Sequence, residues 1–558
     1  METWTQVYNP LGAFWLSALV AAIPIAFFFV TLAVFRWQGY LAGLGTIIVT
    51  LVIALAVYGM PAGLALRATG LGMAYGLWPI SWIILNAVFL YKLSVKSGQF
   101  DVIRASVVTI TEDQRLQVIL IGFAFGAFLE GSAGFGAPVA ITAAILAALG
   151  LNPLYAAGLC LIANTAPVAF GALGIPILVA GKTAGLDPFL VGKMAGRQLP
   201  LLSLFVPFFL VWLMDGFKGV RQTWPVVLVA GGSFAVTQFF TSNFIGPELP
   251  DITSALVCLA ATTLFLKIWR PKEAFAFSSG SRAVPRGGSV GAQAVTNPSY
   301  TVGEIARAWS PFIILTVVVV IWTLPAFKAL FAAGGPLSAT VLSFKIPGLH
   351  ELVIRTAPVV AKNTPYAAVY NLDLISATGS GILLAALLSM PVIGVSLRDG
   401  ISVFKDTVVD LVKPIFTIAC VLGFAFIANY SGLSSTLALA IASSGQLFPF
   451  FAPVLGWLGV FLTGSDTSSN ALFSSLQSIT AHQIGVSDVL TVAANSTGGV
   501  TGKMISPQSI AVACAAVGLV GHESELLRFT VKWSLLFLLI ICVVTYVQAY
   551  FLPGMIPS

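Results

Sequence analysis

Charge is what this chain has least of. Asp, Glu, Lys and Arg make up 8% of its 558 residues, against 58% apolar. A soluble domain carries roughly 25% charge, so an ordinary water-facing coat is excluded, and lipid is the solvent that fits. Histidine is scarcer still: His350, His482 and His522 stand too far apart in the chain to suggest a metal site. The five cysteines (Cys160, Cys258, Cys420, Cys514 and Cys542) sit in apolar runs at no metal-ligand spacing and read as small core residues. No HExxH and no Ser–His pairing is present, so the sequence offers neither of these hydrolytic arrangements. Residues 1–10 have no basic n-region, and the apolar run 11–35 is too long for the core of a leader, so it reads as a retained first span.

What the chain has in abundance is apolar length. Runs at 11–35, 39–58, 79–91, 189–214, 252–268, 311–324, 374–390 and 531–552 approach or exceed the roughly 20 residues a span needs. This predicts an all-α polytopic membrane protein of about 12–14 spans. The net charge of +7 gathers at Lys267, Arg270, Lys272, Arg282, Arg286 and Arg307, around a Gly/Ser/Pro-rich polar stretch. By the positive-inside rule that stretch is a cytoplasmic loop and not a nucleic-acid surface. Residues 341–370, half polar, read as an extracytoplasmic segment.

The polar loop also separates two copies of one pattern. Phe128-Leu129-Glu130-Gly131-Ser132 matches Phe461-Leu462-Thr463-Gly464-Ser465, and Asn164-Thr165 matches Asn495-Ser496. Gly171 then falls on Gly502, Pro176 on Pro507 and Arg197 on Arg528, while upstream Pro79 falls near Pro414. The expected organisation is N-terminal spans (1–60), a first repeat (61–268), a cytoplasmic linker (269–306), connecting spans with the extracytoplasmic segment (307–395) and a second repeat (396–552). Carriers built from two repeats of inverted topology hold substrate near the midplane at the repeat interface.

Each repeat has two places where a continuous helix should fail. Residues 122–140, GFAFGAFLEGSAGFGAPVA, put glycines, an acid and a proline in the middle of an apolar run. Their counterpart is centred on LTGSDTSSNALFSS. These predict re-entrant hairpins near 117–150 and 451–483, because unpaired polar groups are tolerated at membrane depth only in protein or a watery cavity. Residues 164–176 (NTAPVAFGALGIP) and 495–507 (NSTGGVTGKMISP) predict discontinuous helices near 153–177 and 487–510. Free N–H groups at a half-helix N-terminus favour a carboxylate. The alternative is that these Gly and Pro residues only permit close helix packing.

Ionisable groups inside spans are functional candidates. Glu130 and Asp466 each stand in a hairpin turn, where desolvation disfavours the charged form and suits a proton-carrying site. Lys503 is the base of the second broken helix and a candidate for the substrate carboxylate. Ser132, Asn164, Thr165, Ser468, Ser469, Asn470, Asn495, Ser496 and Thr497 form the candidate substrate-binding set, each also able to serve as a local capping group. Arg197, Arg528, Lys193 and Lys532 read as residues that snorkel to the interface, and Lys182 and Asp187 as loop residues.

The runs LEGSAGFGAPVA, LIANTAPVAFGALGIPI, FLTGSDTSSNALF and AANSTGGVTGKMISPQSIAVA resemble those of the bacterial L-lactate permease family, and the likeness extends over essentially the whole chain. No departure in these runs is large enough to set the chain apart from the family. The resemblance implies proton-coupled symport of L-lactate, D-lactate or glycolate across the cytoplasmic (inner) membrane, with no cofactor, and the inverted-repeat architecture of the ion-transporter superfamily. The residues by themselves leave open a sodium-coupled di- or tricarboxylate carrier, because Ser, Thr and Asn at the breaks also suit sodium, although no surplus of bases awaits several carboxylates. They also leave open an anion channel and an intramembrane enzyme built on Asp466 or Ser132.

Overall fold

The computed structural model describes residues 3–132, 134, 137–276, 300–360, 362–520 and 522–557. Arg282 and Arg286, and most of the polar loop, lie outside the described residues. Among these residues ten helices are long and apolar enough to cross a membrane, or eleven with the bent pair Pro153–Ala163 and Val168–Ala184 counted as one span. Their outer faces carry Leu19, Ile48, Val236, Leu264, Val409 and Leu539, all exposed, while Gln198, Gln238, Gln477 and Asn86 are buried. Apolar side chains outside and amides inside is the arrangement lipid selects.

The two halves repeat element for element. The first runs through Ala62–Tyr75 and Trp82–Lys96, Gln99–Val108, a hairpin of Gln114–Ser132 and Ala137–Ala148, the half-helices Pro153–Ala163 and Gly171–Ala184, and the start of Pro188–Phe244. The second runs through Leu397–Ser431, Leu433–Ala442, a hairpin of Phe448–Thr463 and Asp466–Ile484, the half-helices Asp488–Lys503 and Pro507–Ala516, and Glu523–Tyr550. Local signals end and restart the chain at each junction. Asn152 and Ser506 cap helices that open on Pro153 and Pro507. Gly464, at φ +71°, supplies the left-handed residue that turns the second hairpin.

The hairpins open toward opposite faces. The base of the first is fixed by Arg115, which pairs with Asp113 (2.7 Å) and Asp215 (2.7 Å) and donates to the Glu273 carbonyl (3.1 Å), beside the polar loop. The base of the second reaches the other side, where Gln483 donates to the Pro358 carbonyl (2.7 Å). Pro250–Ile268 and Val302–Thr323 run between those faces. The repeats are therefore inverted. Pro188–Phe244, 57 residues, leaves helical geometry at Asp215 and Gly216. At about 1.5 Å per residue it is long enough to cross twice. With the hairpins returning to their own faces, the described residues make about twelve crossings of a ~30 Å apolar core.

A small strand cap covers the face opposite the loop. Val341–Lys345 pairs antiparallel with Val369–Asp373. Val353–Arg355 joins Trp4–Thr5 in parallel and Thr364–Pro365 in antiparallel. Tyr370 of this cap meets Tyr75 edge to face, and the Lys182 ammonium lies 3.7 Å from the Tyr75 ring centroid. Lys182 thus belongs to the last helical turn and not to a loop, and Asp187 caps Pro188–Phe244. Asp373 accepts from the Trp78 indole (3.1 Å), and burial raises its carboxyl pKa above the ordinary range against that bond and the nearby Lys182.

Candidate functional site

The four broken segments converge. In the first repeat the hairpin arm ends beside the break. Asn164 donates to Glu130 Oε2 (3.2 Å), and a methyl group at Gly171 would stand 2.8 Å from Glu130 Oε1. The break itself contains Ala172, Leu173 and Gly174 in succession at φ +44°, +58° and +73°. A left-handed non-glycine residue costs roughly 1–3 kcal/mol, so this turn is held by its surroundings. A Cβ at Gly174 would collide with the Pro247 carbonyl.

In the second repeat the hairpin turn sits on the break in the same way. Lys503 donates to the Gly464 carbonyl (2.9 Å), and the Gln508 side chain packs where a Gly464 side chain would go. Asp466 opens the returning arm and accepts from Ser496 and from Asn470 (3.3 Å) through the same oxygen, Oδ2, leaving Oδ1 without a donor. Asn470 is the hub: it also donates to Ser496 (3.1 Å) and accepts from Asn495 (2.9 Å). It reaches the other repeat too, donating to the Pro176 carbonyl (3.1 Å). Asn495 is held in turn by Gln477 (3.1 Å), and Thr497 donates to Gln198 (2.7 Å). Ser469 donates to the Gly456 carbonyl (3.0 Å), which joins the two hairpin arms.

Electrostatics tie the halves together. The Lys503 ammonium acts on both Glu130 and Asp466, one from each repeat, while its own hydrogen bond goes to a carbonyl. Lys503 is 7% exposed, Asp466 3% and Glu130 4%, so the cluster is closed to water in this conformation. Lys503 thus acts on two carboxyls with one ammonium.

Most of the predicted set therefore meets at one place. Glu130, Asn164, Asp466, Asn470, Asn495, Ser496 and Lys503 share one network of hydrogen bonds and charges. Thr497 joins it through Gln198. Thr165 is buried with its hydroxyl unpaired. Ser132 bonds back to the Phe128 carbonyl of its own helix (2.7 Å), and Ser468 is only partly buried, its backbone N–H capped by Ser465 (3.2 Å). Arg197 departs from the snorkelling expectation. It is bound inside the protein by Asn243 (2.9 Å) and the Met555 carbonyl (2.6 Å), whereas Arg528 is exposed.

Gln198, Gln477, Glu248 and Asp251 escaped the sequence reading. The two glutamines stand outside the Gly/Pro breaks, Gln198 directly after Arg197 and Gln477 among Ser474, Ser475 and Ser478, so nothing in the sequence set them apart. Glu248 and Asp251 in GPELPD read as the ordinary acidic start of a helix.

The family model for L-lactate permease matches residues 17–552. The chain belongs to the L-lactate permease family. It is 62% identical to "Glycolate permease GlcA" of Escherichia coli K12, with both chains covered in full. It is 60% identical to an L-lactate permease of Salmonella typhimurium and 58% identical to one of Escherichia coli K12, again over the full length of each. Membership in this family, with its set of membrane-crossing helices, makes the chain a multi-pass protein of the bacterial inner membrane. The residues of the converging network all lie within the matched region of the family model.

Proposed function

We propose that this chain is a secondary transporter that carries L-lactate, glycolate and related 2-hydroxymonocarboxylates, D-lactate included, across the inner membrane together with protons, by alternating access. Its relatives are named L-lactate and glycolate permeases, which favours a carrier over an enzyme. The observation that carries the proton reading is the buried Lys503 ammonium acting on one hairpin acid from each repeat. The domain unit is the repeat, 61–268 and 396–552, joined by the 269–306 linker and the connecting 307–395.

The mechanism follows from charge balance in a closed, low-dielectric site, where an unpaired charge is costly. With the site empty, Lys503 is balanced by one carboxylate, Glu130 or Asp466, and the other acid holds a proton. A lactate anion replaces that carboxylate as the partner of Lys503. The displaced carboxylate then takes a proton, so one anion enters with one proton and the loaded site is neutral. Neutrality matters because moving one charge against 100 mV costs about 2.3 kcal/mol. The side chains of Asn164, Thr165, Asn470, Asn495, Ser496 and Thr497, with Ser132, Ser468 and Ser469 at the hairpin turns, supply donors for the substrate's carboxylate and hydroxyl. Each hairpin opens toward its own face, so movement of the hairpin-bearing parts admits solvent to the shared site from one side at a time.

A second reading is favoured by one observation. Asn164 Oδ1, Thr165 Oγ1 and Asp466 Oδ1 are buried oxygens without hydrogen-bond donors, and such oxygens suit a hard cation. Sodium coupling would use them. One experiment separates the two: uptake of labelled L-lactate into proteoliposomes, sodium-free, under an imposed inward proton gradient. Accumulation abolished by a protonophore is expected. Accumulation only after sodium is added would replace the proton by sodium.

A further inference from the structure

Resting on the proton-coupled reading, we propose that Glu248 and Asp251 carry protons to Glu130 from the face opposite the polar loop. Asp251 is 1% exposed, and neither of its carboxyl oxygens has a hydrogen-bond partner. It is wedged against the first hairpin, where a methyl group at Gly131 would stand 2.7 Å from the Asp251 β-carbon. That packing sets Asp251 beside Glu130, whose charge is the one that acts on it among the described residues. The helices Pro188–Phe244, Gly171–Ala184 and Val302–Thr323 also border Pro250–Ile268, and none of their described charged groups acts on Asp251.

Two carboxylates side by side in an apolar setting, with the Lys503 ammonium acting on Glu130 but not on Asp251, cannot both ionise. A proton must reside on the pair. Glu130 has an amide donor in Asn164 and the field of Lys503, so it is the member suited to ionise when the site is empty. Asp251, without donors, is the member suited to hold the proton.

Glu248 extends the path outward. It lies three residues before Asp251, in the segment leading into the same helix, and is 9% exposed. Its Oε1 accepts from Thr378 (3.3 Å), its Oε2 is unpaired, and Lys328 acts on it. Thr378 and Lys328 belong to the strand-cap side of the molecule, opposite the loop that follows Ile268. Both carboxyl oxygens of Asp251 and Oε2 of Glu248 have no hydrogen-bond partner, and Glu130 is the acid whose charge acts on Asp251. In the transfer, the O–H bond of Asp251 breaks as an O–H bond forms on the Glu130 carboxylate. Asp251 takes its replacement from Glu248, and Glu248 from hydronium at the aqueous face. Lys328 repels hydronium but favours the Glu248 carboxylate that receives it.

The test compares two transport modes in proteoliposomes: accumulation of L-lactate driven by a proton gradient, and exchange of labelled for unlabelled lactate at equal pH. Exchange shuttles the loaded carrier and needs no fresh proton, so it reports folding and substrate binding. For Asp251→Asn the ratio of driven uptake to exchange is expected to fall about a hundred-fold or more, the low end of what a positioned proton donor contributes. Glu248→Gln should lower the same ratio and flatten the dependence of driven uptake on external pH, while Asp251→Glu restores part of the ratio. A fall of both modes together in both Asp251→Asn and Glu248→Gln, or no change in either, would overturn the relay. If Asp251→Asn fails to fold, Glu248→Gln carries the comparison alone. Accumulation by the unaltered protein in the presence of a protonophore would overturn the proton reading itself, whatever the variants do.

Discussion

At the scale of the residue, the account turns on Lys503. Its ammonium is buried, its hydrogen bond goes to the Gly464 carbonyl, and its charge acts on one acid from each repeat. Replacing it by Met removes the charge and keeps the volume. A hydrogen bond to a charged group contributes about 1.5–3 kcal/mol, so Lys503→Met should weaken L-lactate binding by roughly ten- to a hundred-fold, measured by calorimetry on purified protein. Unchanged affinity would remove Lys503 from the site. Glu130, Asp466 and Lys503 were legible in the sequence because an ionisable residue in an apolar run has few structural excuses. Asp251 was not, because an acid just after a proline at the start of a run looks like a helix cap. Only its proximity to Gly131, about 120 positions earlier in the chain, gives it another meaning.

At the scale of the element, the hairpins and broken helices are held together by glycine. Phe448–Thr463 and Asp488–Lys503 approach so closely that Gly456 lies on the Asn495 backbone, Gly498 on Pro453 and Gly502 on Trp457. Small residues along a seam let backbones meet where lipid gives no hydrophobic drive between helices. A Gly498→Ala substitution puts a methyl group into the Pro453 backbone, and overpacking of this kind costs about 1–3 kcal/mol. A lowered midpoint in a thermal-unfolding assay of the purified protein is the expected result. An unchanged midpoint would mean that the arms pack more loosely than described. The sequence marked these segments by Gly and Pro, but it did not separate close packing from an unwound site. The structure contains both. Glycines along the second hairpin seam serve packing, while Gly174, after Ala172 and Leu173 in the left-handed region, serves the unwound turn. The strand cap went unread, because strands of two to five residues leave almost no periodic signal.

At the scale of the molecule, inversion is the organising feature. It was legible as an offset between matched motifs, but its handedness was not, since apolar runs do not record direction. The Arg115 cluster at the base of one hairpin and the Gln483–Pro358 bond at the base of the other supply it. Lys272 and Lys362 are exposed on opposite faces, and the described cysteines are all buried. Cysteines introduced as Lys272→Cys and Lys362→Cys should therefore react with a membrane-impermeant maleimide from opposite sides of the membrane, Lys362→Cys from outside intact cells. Labelling of both from the same side would contradict the topology.

The central claim is that substrate and proton enter the same closed site, the anion displacing a carboxylate from Lys503. Proton uptake by the purified protein in weakly buffered solution, recorded as L-lactate is added, tests it most directly. The account predicts about one proton taken up per lactate bound, reduced when Glu130→Gln and Asp466→Asn are combined. Saturable lactate binding by the unaltered protein with no proton taken up across the neutral pH range would contradict it.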